Sequence, residues 1–240
     1  MIKRLIGLAL LAVLIGYVVN QYKPVIDKDQ ILKDLVLSVD APKTPDVAKP
    51  KVDLPNRSYQ YRALVIKEAR MYWGPNANVA LFAAQFHQES MWNNNAKSHV
   101  GAQGLGQFMP ATAKDVHARY ADLRQYAMYS ENWSVKALFL YDRELYRAIK
   151  PLRKTSIHPC SHYAMMLSSY NGGLGWLNRD RKLTITNGKN PDIWWDNVEK
   201  YSNRAGWAIR ENRDYPIKIM LRHLPMYLAA GYPGDNPCQV

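Results

Sequence analysis

The feature that most constrains this chain is a helical pattern that ends in a glutamate and leads into a glycine-rich loop, within residues 78–110. The i, i+3, i+7, i+10 spacing of one helical face is followed by Val79, Phe82, Phe86 and Glu89. This spacing predicts that Glu89 lies on the side of the helix that packs inward. Burial disfavours an ionised carboxylate and raises its pKa, which a general acid needs if it is to hold a proton near neutral pH. Glu89 is therefore the leading candidate for a catalytic residue.

The loop that follows contains Gly101, Gly104 and Gly106. Because glycine permits positive φ, these residues predict a tight turn. A phosphate-binding loop is not indicated, since no Gly-Lys-Ser or Gly-Lys-Thr ending is present and nucleotide-binding loops follow a strand rather than a helix. The loop gains meaning only in combination with two segments further along the chain.

These segments are Ser169-Tyr-Asn-Gly-Gly173 and Glu211-Asn-Arg-Asp-Tyr215, and they follow the motifs Glu89-Ser90 and Gly104-Leu-Gly-Gln107. In this order the four motifs resemble those of the lytic transglycosylases with a goose-lysozyme-like fold, the soluble lytic transglycosylase (SLT) family. The resemblance covers roughly residues 57–223 and implies a mainly α-helical, lysozyme-like domain.

The resemblance also implies roles for individual residues. Glu89 would be the acid and then the base of the reaction. The residues implied to bind or orient the substrate are Ser90, Gln107, Tyr170, Asn171, Glu211 and Tyr215. The reaction would cleave the β-1,4 bond between MurNAc and GlcNAc of peptidoglycan without water and leave 1,6-anhydro-MurNAc ends. It would need no cofactor and no metal ion.

Two positions depart from the family pattern, since Gly106 stands where the family has Met and Ser169 where it has Ala. The loss of a flexible apolar side chain at Gly106 puts the fit of the substrate in question. Phe108 and Met109 follow at once and can supply similar surface. The reaction class does not depend on either position.

Two other functions fit the same sequence. A goose-type lysozyme-like hydrolase would need a second carboxylate to activate water, and the candidates are Asp115, Asp214 and Glu211. A non-catalytic cell-wall-binding or phage-structural module would keep the fold without turnover. The intact Glu89 and Gln107 argue against such a loss.

An uninterrupted apolar run at residues 5–19 follows Lys3 and Arg4. It is typical of an export signal, and the lack of a small-x-small cleavage site favours a signal-anchor at residues 1–22 over a signal peptide that is removed. With the two basic residues inside, the rest of the chain would lie on the periplasmic side of the cytoplasmic membrane. Residues 23–56, which include a proline-rich stretch and a short amphipathic pattern, would link this segment to a catalytic domain at 57–240.

The formal net charge of +12 predicts an acidic partner. The basic residues are scattered among aromatic ones without a long Lys/Arg run, which argues against nucleic acid. Peptidoglycan strands, with their peptide carboxylates, and the inner membrane remain as the predicted partners.

The chain has two cysteines, Cys160 and Cys238. In an oxidising compartment this pair predicts a disulfide bond, and two free thiols are the alternative. Cys160 also lies between His158 and His162, but this spacing matches no familiar zinc site and the disulfide competes for the same sulfur. No metal site is therefore predicted.

Helical periodicity and stop signals predict helices at residues 58–73, 78–91, 110–120, 134–149, 161–170, 193–201 and 214–230. Pro225 predicts a kink or break in the last of them. Residues 181–187 alternate between polar and apolar side chains and predict a small β ribbon.

Overall fold

The computed structural model describes residues 53–153 and 156–239. Among these residues the α-helices are α1 (Arg57–Trp73), α2 (Val79–Ser90), α3 (Pro110–Arg119), α4 (Glu131–Ala148), α5 (Pro159–Gly172), α6 (Leu174–Thr186), α7 (Gly206–Pro216) and α8 (Leu224–Ala229). Short 3₁₀ turns lie at Ala121–Leu123 and Val198–Lys200, and a π-helical segment lies at Ile217–His223. The described part is therefore mainly helical, and its only β pairing consists of isolated bridges within residues 97–108.

Helix α2 is the centre of the core. Every side chain from Val79 to His87 is buried, and the helix packs against α1, α8 and the π segment, while Phe82 and Phe86 also contact Phe139 of α4. The Asn78 side chain caps its start by accepting a hydrogen bond from the Leu81 N–H. Its end is set by Met91, which adopts a left-handed φ of 50°. This placement brings Glu89, in the last turn, to the edge of the core.

Helix α7, the π segment and α8 follow one another without a loop. The chain widens into π geometry between Pro216 and Pro225, at the two places where a proline removes a backbone donor. The predicted irregularity near Pro225 is therefore confirmed. The predicted start at residue 214 is wrong, because the helical segment already begins at Gly206.

The predicted helices that correspond to α1–α5 are confirmed to within a few residues. The β ribbon predicted at 181–187 is wrong, because residues 174–186 form α6. Its buried side chains are Leu177, Asp180, Arg181 and Thr184, which have the spacing i, i+3, i+4, i+7. Two of the four inward positions are charged. An analysis of apolar periodicity therefore does not detect the helical spacing of this segment.

The helix predicted at 193–201 is also wrong, since only the turn Val198–Lys200 is helical. Side chains here satisfy the backbone in its place: the Asn197 Oδ1 accepts from the Asn190 N–H and the Asn190 Oδ1 accepts from the Asp192 N–H. Asp196 adds a left-handed φ of 56°. Such local bonds compete with a helix and keep this segment as a series of turns.

The end of the described chain returns to the start of α2. The Ala80 N–H donates to the Pro233 carbonyl at 2.9 Å, and the Asn78 Nδ2 donates to the Asp235 carbonyl at 2.8 Å. A disulfide bond joins Cys160 on α5 to Cys238, the pair that the sequence predicts. The C-terminal segment is thus fixed to two of the core helices.

The predicted membrane segment at residues 1–22 and the linker up to residue 52 lie outside the described residues. Within residues 53–153 and 156–239, no helix has the length and apolar character needed to cross a membrane.

Candidate active site

Glu89 opens onto a cavity of about 310 Å³ between the end of α2 and the glycine-rich loop. The cavity, called the cleft below, is lined by Glu89, Ser98, His99, Val100, Ala102, Gln107, Phe108, Met109, Thr112, Tyr141, Tyr170, Asn171 and Glu211. The structure therefore brings together five of the residues singled out in the sequence: Glu89, Gln107, Tyr170, Asn171 and Glu211. They come from α2, the loop that follows it, α5 and α7, so three separate parts of the chain meet at the cleft.

The Glu89 carboxyl is half-buried and has an unusual proton affinity. Burial raises its pKa to about 8, and the nearby charge of Glu211 acts in the same direction. A hydrogen bond from the Tyr215 hydroxyl to the Glu89 Oε1 opposes this rise by stabilising the ionised form. Within the described residues, no Lys or Arg forms an ion pair with Glu89. Such a group is protonated at neutral pH and can both give and take a proton.

Tyr215 and Tyr170 flank this carboxyl. Their rings lie parallel, with centroids 6.5 Å apart, and the Tyr170 hydroxyl donates to the Gly106 carbonyl at 2.6 Å. Burial raises the pKa of both phenols well above the usual value, and the charge of Glu89 adds to the rise. Both tyrosines therefore stay neutral donors at any pH at which Glu89 changes its protonation state.

A smaller cavity, of about 160 Å³, adjoins Glu89 on the side of α7. Its lining residues are Gln88, Glu89, Asn171, Glu211, Tyr215 and Lys218. Glu211, Tyr215 and Lys218 follow the spacing i, i+4, i+7, so one face of α7 and of the π segment forms this wall.

The glycine-rich loop holds Gln107 in a strained backbone conformation, with a φ of 47°. The Gln107 Nε2 donates to the carbonyls of Gly104 at 2.9 Å and Ala96 at 3.2 Å. Its amide nitrogen is thus used within the loop, and the side chain lines the cleft. Gly104 is required where it stands, because a Cβ there would lie 2.2 Å from the Met128 carbonyl oxygen.

The structure gives a physical reason for Gly106. A Cβ at this position would lie 2.9 Å from the Phe108 ring and 3.1 Å from the Tyr170 hydroxyl. The buried Phe108 and the exposed Met109 both line the cleft beside it. Phe108 and Met109 therefore supply apolar surface beside Gly106, and Phe108 leaves no room for a larger side chain at Gly106.

Asn171 is held by a residue that sequence reasoning missed. The Asn212 Nδ2 donates to the Asn171 Oδ1 at 3.1 Å and to the Ser168 carbonyl at 2.9 Å, and the buried Asn212 itself accepts from Arg204 and Arg213. Asn212 stands inside the predicted motif Glu211–Tyr215, directly after Glu211. Its position in that motif is the sequence signal that could have identified Asn212 as a residue of the site.

Ser90 lies apart from the cleft. Its hydroxyl donates to the Phe86 carbonyl at 3.4 Å, and it lines a separate surface depression with Pro55, Asn56, Arg57, Met91 and Asn93. The geometry supports a role at the end of α2, and a contact between Ser90 and substrate stays a prediction.

The carboxylates considered as helpers of a hydrolase differ in position. Asp115 is exposed on α3 and pairs with Arg119, and Asp214 is exposed on α7 with Lys218 at 3.9 Å. Neither lines the cleft, whereas Glu211 does. A further carboxylate was missed: Asp142 on α4 is fully buried, and it lines neither cavity that contains Glu89.

No cluster of three or more metal-binding side chains is found in residues 53–153 and 156–239. In the segment His158–His162, the Cys160 sulfur is used in the disulfide bond and the His162 Nε2 lies 2.8 Å from the Tyr146 carbonyl.

Comparison with known proteins adds the family. The chain is similar to membrane-bound lytic murein transglycosylase F of Alteromonas mediterranea, with 34% identity over 57% of this chain and 26% of the relative. The corresponding protein of Shewanella halifaxensis is 34% identical over 48% of this chain, and that of Pseudomonas syringae pv. syringae is 35% identical over 48%. The chain spans only about a quarter of the length of these relatives. The transglycosylase SLT domain model matches residues 65–193, more than half of the 240 residues. Helices α2–α5, the glycine-rich loop and the carboxyl of Glu89 all lie within that match, and the chain therefore belongs to the transglycosylase SLT domain family.

Proposed function

We propose that this protein is a peptidoglycan lytic transglycosylase that cleaves the β-1,4 bond between MurNAc and GlcNAc and leaves 1,6-anhydro-MurNAc ends. The observation that carries the proposal is the carboxyl of Glu89, which opens onto the cleft with a pKa raised to about 8. The names of the relatives, lytic murein transglycosylases, support the same substrate. At neutral pH this carboxyl carries the proton that the leaving oxygen needs.

The chemistry uses Glu89 twice. In the first step it donates its proton to the glycosidic oxygen, the bond to the anomeric carbon breaks, and the N-acetyl group of the substrate shields that carbon. In the second step the Glu89 carboxylate accepts the proton of the sugar's 6-hydroxyl, whose oxygen bonds to the anomeric carbon. The proton from the 6-hydroxyl replaces the one that Glu89 gave to the leaving oxygen. The enzyme is therefore regenerated and no water is consumed.

The neighbours of Glu89 support both halves of this cycle. Burial favours the protonated carboxyl before the first step, and the hydrogen bond from Tyr215 stabilises the carboxylate after it. The Oε1 of Gln107 and the side chains of Asn171 and Glu211 would bind the N-acetyl and hydroxyl groups of the sugars. Asn171 enters this role already oriented by Asn212.

A hydrolase remains the second candidate, because Glu211 lines the cleft together with Glu89. A carboxylate there could activate water on the face of the sugar opposite to the acid. Asp115 and Asp214, outside the cleft lining, offer no such arrangement. The two reactions give different products, since hydrolysis adds one water to each cut.

The experiment is a digestion of purified peptidoglycan in water labelled with oxygen-18, followed by mass spectrometry of the muropeptides. We expect anhydro-MurNAc ends without the label. Reducing MurNAc ends that carry the label would identify the hydrolase. An absence of cleavage by the wild-type protein, with glycan strands still bound, would identify the non-catalytic wall-binding module.

We also propose that the protein acts on the periplasmic side of the cytoplasmic membrane, anchored by residues 5–19. The apolar run behind Lys3 and Arg4 supports this, as does the word membrane-bound in the names of the relatives. Export with removal of residues 1–22 is the alternative. Fractionation of cells followed by sequencing of the mature N-terminus separates the two, because an anchored chain stays in the membrane fraction with its first residues intact.

A further inference from the structure

The buried carboxyl of Asp142 has one polar partner and no counter-charge. It is 0% exposed on α4, and the equally buried Gln85 on α2 donates its Nε2 to the Asp142 Oδ1 at 3.4 Å. The second oxygens of both side chains, the Asp142 Oδ2 and the Gln85 Oε1, have no partner in the described part of the chain. No ion pair of those residues includes Asp142.

An ionised Asp142 would leave two buried acceptors unsatisfied, each at a cost of about 1–3 kcal/mol in addition to the cost of a buried charge. A protonated Asp142 removes both deficits, because its O–H is a donor for an acceptor such as the Gln85 Oε1. The carboxylic acid and the primary amide are complementary, since each then offers one donor and one acceptor. The two orphan oxygens are those that this pairing would satisfy.

The titratable groups near Asp142 also oppose a charge there. They are Glu89 on α2, Tyr170 on α5, Tyr215 on α7 and Tyr141 on α4, and none of them is a cation. Burial raises the pKa of Asp142 well above its usual value, and the charge of Glu89 raises it further. Ionisation of Glu89 during the reaction therefore strengthens the protonation of Asp142.

We propose that Asp142 is a permanently neutral carboxylic acid, paired with Gln85 through two hydrogen bonds, and that this pair is a positioning element for Glu89. The inference rests on the proposed role of Glu89. Gln85 and Glu89 are four residues apart on the same face of α2, so the pair fixes that face against α4. Because Asp142 carries no charge, Glu89 can ionise in the first step without repulsion from a carboxylate behind it.

Infrared spectroscopy tests the protonation state without any assay of activity. At about pH 9.5, where exposed carboxyls and Glu89 are ionised, we expect the wild-type protein to retain one carboxylic acid C=O band. The variant Asp142→Asn should lose it. The matched control is Asp235→Asn, because the exposed Asp235 also accepts a hydrogen bond from a side-chain amide, the Asn78 Nδ2 at 3.0 Å. That variant should keep the band. A wild-type spectrum without the band would overturn the proposal.

Kinetics test the positioning. Asp142→Leu, of similar volume but without hydrogen bonds, should lower kcat about tenfold or more, since a small displacement of a reacting group costs this much. The separate variant Asp142→Asn, whose amide can make both hydrogen bonds to Gln85, should have a kcat within about threefold of the wild type. The alkaline limb of its pH profile should coincide with that of the wild type. If Asp142 were ionised, removal of its charge would lower the pKa of Glu89 and move this limb to lower pH, which would contradict the proposal.

The outcomes distinguish this inference from the proposed function. If the digestion products show a hydrolase, the acid role of Glu89 and the spectral test of Asp142 both stand unchanged. If the acid band is present but Asp142→Leu folds and retains full activity, the pair is neutral but does not position Glu89, and the inference fails while the proposed function survives.

Discussion

Two acidic residues, Glu89 and Asp180, differ in the groups that surround their carboxyls. The difference shows why one carboxyl is suited to proton transfer and the other to holding the fold together. Asp180 on α6 is 1% exposed, and its Oδ2 accepts from the Arg204 Nη2 at 2.8 Å and the Arg213 Nη2 at 2.9 Å. Glu89 is half-buried and meets a phenol in place of a guanidinium. The ion pairs tie the Asp180 carboxylate to the scaffold, whereas Glu89, which pairs with no Lys or Arg of residues 53–153 and 156–239, can change its protonation state.

The two regions are connected. Arg213 contacts Asp180 and also donates to the Asn212 Oδ1, and Asn212 orients Asn171 at the cleft. Burial lowers the pKa of the Arg213 guanidinium, while Asp180 acts in the opposite direction. The motif Glu211–Tyr215 therefore contributes to both regions: Glu211 and Tyr215 lie beside Glu89, and Asn212 and Arg213 connect the cleft to Asp180.

The largest expected effect is that of Glu89→Gln on turnover. An amide keeps the shape but cannot donate and accept the proton, so kcat should fall by about 10²–10⁴-fold. Circular dichroism at neutral pH should be unchanged. The matched control is Glu211→Gln in the same cleft, which should change KM more than kcat in a lytic transglycosylase. Equal losses of kcat in both variants would favour a pair of catalytic carboxyls.

The scaffold side of the comparison predicts a loss of stability from Asp180→Ala. This change leaves two buried guanidiniums without their anion, so the free energy of unfolding should fall by about 3–5 kcal/mol, measured by urea denaturation. Asp214→Ala removes an exposed carboxylate 3.9 Å from Lys218 and should change it by less than about 0.5 kcal/mol. Similar losses of unfolding free energy in both variants would show that the buried ion pairs of Asp180 stabilise the fold no more than the exposed carboxylate of Asp214 does.

The catalytic side predicts the opposite sign, a gain of stability from Glu89→Gln at alkaline pH. The folded pKa of Glu89, about 8, lies above that of an unfolded carboxyl, so the folded state holds the proton more tightly. This stabilisation is complete below about pH 4 and is lost as the pH rises through 8. Thermal melts from about pH 4 to 9 should show the variant gaining roughly 4–5 kcal/mol relative to the wild type across this range. If the stabilities of the variant and the wild type change in parallel across this pH range, the raised pKa of Glu89 is contradicted.

The smallest effect expected is that of Tyr215→Phe on the pH profile of kcat/KM. The Tyr215 hydroxyl stabilises the ionised form of Glu89, so its loss should raise the pKa of Glu89 and move the alkaline limb to higher pH. Tyr141→Phe is the matched control, because Tyr141 lines the same cleft but is not among the groups that shift the pKa of Glu89. A limb that moves to lower pH in Tyr215→Phe would exclude this hydrogen bond as a stabiliser of the carboxylate.

The sequence was sufficient where apolar periodicity and motif order coincide. The buried stripe of Val79, Phe82 and Phe86 located α2, and the four motifs located the loop and five of the residues that line the cleft. It was insufficient where polar groups are buried. Asp180 and Arg181 made α6 resemble a ribbon, and Asp142 and Asn212 have roles that depend on partners more than forty residues away. Because the tertiary fold determines these pairings, no local sequence pattern predicts which residues will be partners.

The attachment of the C-terminal segment to the start of α2 has a consequence for the order of biosynthesis. The groups that hold Asn78 and Ala80 belong to Asp235 and Pro233, and the phenol that contacts Glu89 belongs to Tyr215, so α2 takes these contacts from residues made long after it. Contacts between positions this distant in the chain form slowly. A chain in synthesis therefore contains Glu89 long before it contains Tyr215, and the hydrogen bond that stabilises the ionised Glu89 forms only after α7 has been made.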